Sequence, residues 1–274
     1  MTLPLVDLSR LSLNQATTQR WSLREAIDGC ARAGIPAIGI WRDKLAEAGV
    51  EAAARMVREA GLHVSSVCRG GMFPAATAAE RAARIEDNRR AIDEAAALAA
   101  DVLVLVCGAA PDKNIRAGRA MVADAIEQLI PYAAERDIKL GIEPLHPMYA
   151  GDRSVITTLS EALDLVDRFA TPQVGVVIDT YHVWWDPYLF AQIERASGRI
   201  LGFHVCDWLV PTPHMLLGRG MMGDGVIDFR PIRAAVEQAG YHGSIEVEIF
   251  NQAIWDTPGD EVLDLMGKRF IECV

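Results

Sequence analysis

Short apolar segments alternate with amphipathic stretches of ten or more residues from residue 11 to the end of the chain. A short, nearly continuous apolar run indicates a strand that is buried on both faces, whereas apolar positions spaced by three and four indicate a helix. The pattern therefore predicts alternating strands and helices around a parallel sheet. The eight predicted strands are Leu11–Ala16, Ala37–Trp41, Val64–Cys68, Val102–Cys107, Lys139–Glu143, Val174–Asp179, Ile200–Cys206 and Ser244–Phe250.

Helix start signals lie between these strands. In each of them a hydroxyl residue precedes a glutamate by three positions, the spacing at which the two side chains can bond free N–H groups at a helix start. The three pairs are Ser22 and Glu25, Thr77 and Glu80, and Thr158 and Glu161. No linker or change of composition divides the chain. We therefore predict an α/β protein in which residues 1–274 form a single (β/α)8 TIM barrel domain.

The composition suits a protein with a large core, because 51% of the 274 residues are hydrophobic and 23% are charged. No run of about 18 apolar residues predicts a membrane span. The segment Met1–Asp7 lacks a basic stretch followed by an apolar one, so we expect no secretory signal and a cytoplasmic protein. Five widely spaced cysteines without a C-x-x-C pair argue against disulfides and against a thiolate zinc site.

The formal net charge of −10 makes nucleic acid an unlikely partner, because the protein's field repels polyanions and no Lys/Arg cluster offsets it. A small-molecule substrate is expected instead. A phosphorylated substrate stays compatible with the sequence, since a local arginine can overcome the global charge. Assembly into a homo-oligomer is also compatible with the sequence.

Metal-ligand side chains end four consecutive predicted strands, at Glu143, Asp179, His204 and Glu248. Active sites of (β/α)8 barrels lie at the carboxyl ends of the strands, so these side chains are expected to converge. Three carboxylates packed together repel unless a proton or a cation intervenes. Their oxygen and nitrogen donors, without a thiolate, suit one divalent ion such as Mn²⁺, Mg²⁺, Co²⁺ or Zn²⁺.

The last strand carries two glutamates, Glu246 and Glu248, on the same face because side chains alternate with a period of two. Glu248 lies nearer the carboxyl end and is assigned as the metal ligand. Glu246 is expected one layer deeper, paired with a buried lysine or arginine.

Several motifs resemble those of the sugar phosphate isomerase/epimerase family, which belongs to the xylose-isomerase-like TIM barrels. The resemblance covers nearly the whole chain and is strongest over residues 139–250. The motifs are Gly-Ile-Glu143-Pro in strand five, Asp179-Thr-Tyr-His182, Gly-Phe-His204 in strand seven, Gly223-Asp-Gly-Val-Ile-Asp228 and Gly240-Tyr-His-Gly-Ser-Ile-Glu-Val-Glu248.

This resemblance implies a divalent metal, Mn²⁺ in the first place, held by Glu143, Asp179, His204 and Glu248. It implies a metal-dependent isomerase or epimerase that acts on a sugar or keto-sugar by proton transfer through a metal-stabilised enediolate. Glu143 and Glu248 would exchange the proton with the substrate carbon. His182 matches a histidine that contacts the substrate.

The chain departs from the epimerases near two of these motifs. They place another acid a few residues beyond the strand-five glutamate, where this chain has His146 and Tyr149. His146 is either an acid/base group or substrate contact, or the cap of a turn held by two prolines. The epimerases' arginine shortly after the strand-seven histidine has its nearest substitute in Arg219, after a longer loop.

Two adjacent tryptophans, Trp184 and Trp185, follow strand six. Aromatic faces pack well on the C–H surfaces of a sugar ring, so we expect Trp185 to form an apolar wall of the substrate site. Core packing is expected for at least one of the pair.

The same barrel is compatible with three other functions. A dehydratase or lyase acting on a keto-inositol or keto-glycoside, similar to inosose dehydratase, would use the same metal to expel a leaving group. A DNA-repair endonuclease of the superfamily needs extra histidines from strands three and four, where this chain has Cys68 and Cys107. A sugar-binding subunit without catalysis would tolerate loss of the carboxylates.

Overall fold

The protein, described over residues 5–274 by a computed structural model, has eight parallel strands that close into a barrel in the order β1-β10-β7-β6-β5-β4-β3-β2. This confirms the predicted (β/α)8 barrel. Two further short strands, β8 and β9, form an antiparallel pair outside it. The strands are β1 Leu11–Asn14, β2 Ala37–Trp41, β3 His63–Gly71, β4 Val102–Val106, β5 Lys139–Glu143, β6 Val174–Asp179, β7 Ile200–Val205, β8 Asp207–Trp208, β9 Arg219–Gly220 and β10 Ile245–Val247.

Helices follow the barrel strands along the chain and cover the outside of the sheet. The α-helices are α1 Leu23–Ala33, α2 Arg42–Ala48, α3 Val50–Ala60, α4 Ala78–Ala97, α5 Ile115–Glu135, α6 Leu159–Phe169, α7 Thr180–Val183, α8 Leu189–Arg195, α9 Phe229–Gln238, α10 Gln252–Asp256 and α11 Gly259–Cys273. Two 3-10 helices span Gln15–Thr18 and Pro147–Tyr149.

The predicted helix starts are present. Ser22 and Thr77 each accept a hydrogen bond from the backbone N–H of the glutamate three residues on, which bonds back to the hydroxyl residue's own N–H. At α6, Thr158 accepts from the Glu161 N–H, while the Glu161 carboxylate turns to Thr157. These bonds satisfy N–H groups that the first helical turn leaves free.

Five strands have ends that differ from the prediction: β4 and β7 stop one residue early, β3 runs from His63 to Gly71, and β1 and β10 are shorter than expected. β1 stops at Asn14, because the Asn14 side chain accepts from the Ala16 N–H and begins a 3-10 helix. β10 covers only Ile245–Val247. Beyond it, the Glu248 N–H still donates to the Val205 carbonyl at 3.3 Å, which keeps Glu248 close to β7.

The core is built from apolar residues of the strands and of the inward helix faces. Four of the five cysteines are buried, and all five are free thiols. Between residues 5 and 274 no helix has the length and apolarity needed to cross a membrane. The predicted absence of a signal in Met1–Asp7 concerns a segment whose first four residues lie outside the described part of the chain.

Strand register brings the carboxyl-end side chains together. Asp179 on β6 is the register partner of His204 on β7, and His204 is also the register partner of Glu246 on β10. Glu143 ends β5, the neighbour of β6. One rim of the barrel therefore carries acids and a histidine from four adjacent strands.

Candidate metal centre and substrate cavity

Glu143, Asp179, His204 and Glu248 form one buried cluster at the carboxyl end of the barrel. Each offers one ligand atom, and these atoms all lie within 4.8 Å of one another. None of the four residues is more than 5% exposed. Ligand atoms that share one ion at about 2.0–2.2 Å lie about 3 to 4.4 Å apart, so small side-chain movements suffice to bring the cluster to coordination distance. The cluster could hold a metal ion.

Polar atoms without partners support the fit of a cation. The Oε1 atom of Glu143 and both ring nitrogens of His204 are buried and make no hydrogen bond within the described part of the chain. Buried polar atoms almost always have a partner, so such orphans call for an explanation. Carboxylate oxygens with one imidazole are a donor set that divalent ions accept, and a bound ion would satisfy Oε1 of Glu143 and one ring nitrogen of His204.

The carboxylates of the cluster affect one another's charge. Burial and the nearby Glu143 carboxylate raise the pKa of Glu248 to about 7, although Arg219 opposes the shift. Burial also disfavours the charged form of Asp179, but the Arg219 guanidinium outweighs it and lowers the pKa of Asp179. Without a divalent ion, the site thus keeps all of its carboxylates charged only with difficulty.

Glu246 lies one layer deeper, as expected, but the prediction that a lysine or arginine pairs with it is wrong. Its Oε1 lies 3.0 Å from His204 Nε2, and its carboxylate accepts hydrogen bonds from the Ser66 hydroxyl at 2.7 Å and the Asn14 amide at 3.4 Å. Burial raises the pKa of Glu246, but the neighbouring His204 outweighs this and lowers it.

The contact with Glu246 orients the imidazole of His204. Its Nε2 faces Glu246, so Nδ1 is left on the side of Glu143, 3.5 Å from Oε1. Metal-bound histidines commonly turn their second nitrogen to a carboxylate in this way. Gly39 on β2 makes room for the arrangement, because a Cβ there would lie 1.9 Å from Oε2 of Glu246.

Arg219 brings a guanidinium into the cluster. Its Nη1 donates to Asp179 Oδ2 at 2.9 Å and to Glu248 Oε2 at 2.8 Å. The guanidinium carbon lies 4.7 Å from the Tyr181 ring centre and 4.9 Å from that of Phe250. Two rings and two carboxylates therefore fix this side chain, whose positive charge offsets part of the negative charge of the cluster.

A cavity of about 130 Å³ opens above the cluster, with Glu143, Glu248, His182 and Arg219 on its wall. His182 is 2% exposed, and burial lowers its pKa to about 3, so its ring is neutral. Its Nδ1 accepts the His146 backbone N–H at 3.2 Å. Its Nε2 lies 3.2 Å from Nη2 of Arg219, which can only donate, so the donor and acceptor roles of the two ring nitrogens depend on the tautomer.

His146 and Trp185 lie behind His182. The described residues that line the cavity include neither of them. His146 Nδ1 accepts the Met148 N–H and caps the 3-10 helix Pro147–Tyr149, which agrees with the capping alternative. Trp185 Nε1 donates to the His182 carbonyl at 2.9 Å. The backbone N–H of His146 and the side chain of Trp185 thus help to position His182.

Asp207 organises the loop that delivers Arg219, a role the sequence reasoning missed. The carboxylate is fully buried and accepts four backbone N–H groups at 2.8–3.0 Å, from Trp208, Gly223, Gly225 and Ile227. The glycine-rich motif after β9 therefore wraps an internal anion. The sequence signal for this role was an aspartate directly after the predicted strand seven, followed later by Gly-x-Gly.

Asp207→Asn is expected to destabilise the protein by about 2–4 kcal/mol, because the amide replaces one charged acceptor with a donor that faces backbone N–H groups. Urea unfolding measures the change. The matched control is Asp228→Asn, since Asp228 is exposed and its side chain caps no N–H. Equal stability of the two variants would show that the loop does not depend on the Asp207 charge.

A profile of the xylose isomerase-like TIM barrel family matches residues 27–268. The chain belongs to this family. Among its xylose isomerase-like relatives, the L-ribulose 3-epimerase of Methylomonas sp. strain DH-1 is 30% identical over 250 residues, which cover 85% of this chain and 80% of the relative. The candidate site thus occupies the strand ends of a barrel that the family shares.

The chain is also similar to a dehydratase and to a protein of known structure. The 3-dehydroshikimate dehydratase of Pseudomonas aeruginosa is 26% identical over 254 residues, which cover 86% of this chain but 37% of the longer relative. The crystal structure of protein SMc04130 from Sinorhizobium meliloti 1021 is 51% identical, with a TM-score of 0.96 and coverage of 97% of this chain and 98% of that one.

Proposed function

We propose that the protein is a divalent-metal-dependent isomerase or epimerase of a sugar or keto-sugar. The observation that carries this proposal is the buried cluster of Glu143, Asp179, His204 and Glu248 on the floor of a cavity whose wall includes two of its carboxylates. The L-ribulose 3-epimerase relative adds support, because it covers most of both chains. Mn²⁺ is our first choice of ion, ahead of Mg²⁺, Co²⁺ and Zn²⁺.

Glu143, Asp179, His204 and Glu248 would hold the ion, which when bound supplies a Lewis acid that polarises a substrate carbonyl and stabilises an enediolate. The protein's own part is proton transfer. Glu143 and Glu248 both line the cavity, so a substrate carbon between them could lose its proton to one carboxylate and regain one from the other.

His182 and Arg219 are our candidates for substrate binding. Both residues line the cavity, and His182 Nε2 lies 3.2 Å from Arg219 Nη2. A guanidinium beside an imidazole suits a polar group of the substrate, such as a hydroxyl or carbonyl oxygen. His146 and Trp185 would contribute by holding His182 in this orientation.

A dehydratase is the second candidate, favoured by the dehydratase relative that covers 86% of this chain. Both reactions begin when a carboxylate removes a proton next to a carbonyl. They diverge when the enediolate either regains a proton or expels a leaving group. The same residues therefore serve either outcome, and the product decides between them.

The deciding experiment incubates the metal-loaded protein with a panel of ketoses and keto-sugars in D₂O. We expect deuterium to enter the substrate at the carbon next to the carbonyl, and NMR measures this incorporation. The substrate is expected not to lose water. A product that has lost water, detected by mass, would assign the dehydratase. If no panel member undergoes deuterium exchange or elimination, the proposal of an enzyme is contradicted.

We further propose that residues 1–274 work as one barrel domain in the cytoplasm, with neither nucleic acid nor a membrane as partner. The acidic net charge of −10 and the absence of a basic cluster support the first exclusion. A homo-oligomer is compatible with this proposal.

A further inference from the structure

Two arginines on the cavity wall have no role in the reaction proposed above. Arg69 on β3 and Arg153, after the second 3-10 helix, line the same cavity as Glu143 and Glu248. Both residues are half-buried. Both residues therefore border the space that a substrate bound at the cluster would fill.

Neither arginine donates a hydrogen bond to a carboxylate. The Arg69 side chain makes no hydrogen bond or ion pair within residues 5–274. The Arg153 Nε is buried without a hydrogen-bond partner, and its nearest carboxylate oxygen, on Asp152, lies 3.8 Å away. That distance is too long for a hydrogen bond. The five N–H donors of a guanidinium ordinarily find acceptors when partly buried.

The neighbouring Arg42 shows what a paired arginine looks like in this protein. It donates to both Asp87 and Glu94, with distances of 2.5–3.3 Å. Arg219, inside the cluster, is likewise paired with Asp179 and Glu248. The two arginines on this cavity wall lack such hydrogen bonds to carboxylates, although the chain has more acids than bases.

The two arginines also repel each other. Burial, and after it the charge of Arg153, lower the pKa of Arg69. Placing two like charges beside a partly buried cavity costs free energy unless an anion compensates them. Guanidinium groups bind carboxylates and phosphates through two parallel N–H bonds, so such an anion would be held in a defined orientation.

We propose that Arg69 and Arg153 form a subsite for an anionic group of the substrate, a carboxylate or a phosphate, in the cavity that Glu143 and Glu248 also line. This inference rests on the proposed function and names its substrate class: an acidic keto-sugar rather than a neutral ketose. The reacting carbons lie at the acidic cluster, and the anion lies at the arginine wall. The acidic surface of the protein makes this local reversal of charge necessary for binding an anion.

The test is a binding series that varies only the group at carbon six: D-fructose, D-fructuronate and D-fructose 6-phosphate. Calorimetry on the metal-loaded protein is expected to give at least one charged ketose a dissociation constant about 10- to 100-fold lower than that of D-fructose. The charged ketose that binds more tightly identifies the source of the anion as a carboxylate or a phosphate.

Arg69→Met and Arg153→Met keep the aliphatic stem and remove the charge. Each is expected to weaken binding of the charged ketose about tenfold and to leave D-fructose within about twofold. Arg58→Met is the matched control, because Arg58 is exposed in the last turn of α3, at the opposite end of the barrel. Circular dichroism verifies that the variants are folded, and Arg69→Lys tests charge in case Arg69→Met unfolds.

The outcomes separate this inference from the proposed function. Equal affinity for charged and neutral ketoses, or equal losses in the arginine and control variants, would overturn the anion subsite even if neutral ketoses are isomerised. Arginine-dependent binding of a charged ketose without proton exchange would support the subsite and count against the isomerase.

Discussion

Replacing Glu143 or Glu248 by glutamine is expected to slow deuterium exchange into the substrate by about 10³-fold. General acid–base catalysis by a positioned side chain contributes about 10²–10⁴-fold, and a glutamine amide neither accepts nor returns the proton. Both carboxylates face the cavity and are almost fully buried, so bulk water cannot easily take their place. The measurement is the exchange rate in D₂O under saturating substrate.

Both glutamates also belong to the metal cluster, so bound metal must be quantified in each variant. Rates are compared per metal-loaded protein, which separates lost proton transfer from lost metal. Glu272→Gln is the control, because Glu272 is exposed near the carboxyl terminus. Exchange at the wild-type rate in metal-loaded Glu143→Gln and Glu248→Gln would exclude both as proton carriers and would favour a role in binding alone.

Binding of a divalent ion is expected to stabilise the folded protein by about 2.7 kcal/mol at a free ion concentration one hundred times the dissociation constant. For a chain of this size, that gain corresponds to a rise in Tm of roughly 5–10 °C. The reason is that the cluster of Glu143, Asp179, His204 and Glu248 is assembled only in the folded state. Thermal unfolding of the chelator-treated protein with and without Mn²⁺ or Zn²⁺ measures the shift.

His204→Ala is expected to lose most of this shift, whereas His242→Ala keeps it, because His242 is exposed and outside the cluster. The shift should also shrink between pH 8 and pH 6. With a pKa of about 7, Glu248 is mostly protonated at the lower pH, so the ion must displace a proton. An ion-induced shift that is unaffected by His204→Ala would place the binding site elsewhere.

The barrel and the cluster could be predicted from the sequence because both depend on local patterns. Short, nearly continuous apolar runs mark the buried strands, and Glu143, Asp179 and Glu248 lie at or near the carboxyl ends of these runs. Because the strands are parallel, their carboxyl ends lie at the same end of the barrel. The convergence of these three side chains with His204 needed no knowledge of the loops.

Partners that come from distant parts of the chain were beyond this reasoning. Glu246 meets Ser66 and Asn14, which lie 180 and 232 residues away in sequence. No periodicity encodes such a pairing, so the expectation of a lysine or arginine partner failed. Arg69 and Arg153 were missed for the same reason, because the cavity that joins them exists only after the barrel closes.

Strand ends were also hard to place, because side chains compete with the sheet there. Asn14 continues the apolar pattern of β1 poorly, yet nothing local indicates that its amide will cap the following turn. Glu248 lies beyond the last ladder pair of β10, where its N–H bonds the Val205 carbonyl and Arg219 donates to its carboxylate and carbonyl oxygens. Ligand positions thus depend on irregular backbone as well as on regular strands.

The geometry at the metal-binding end of the barrel depends on Gly39, a residue without a side chain. Any larger residue there would have to push aside the Glu246 carboxylate, and with it the imidazole of His204. The geometry offered to an ion is therefore constrained from a strand that supplies no ligand. During divergence of such barrels, residues 39 and 246 would have to change together, so the volume available at β2 limits which ions and which chemistry the opposite strands can acquire.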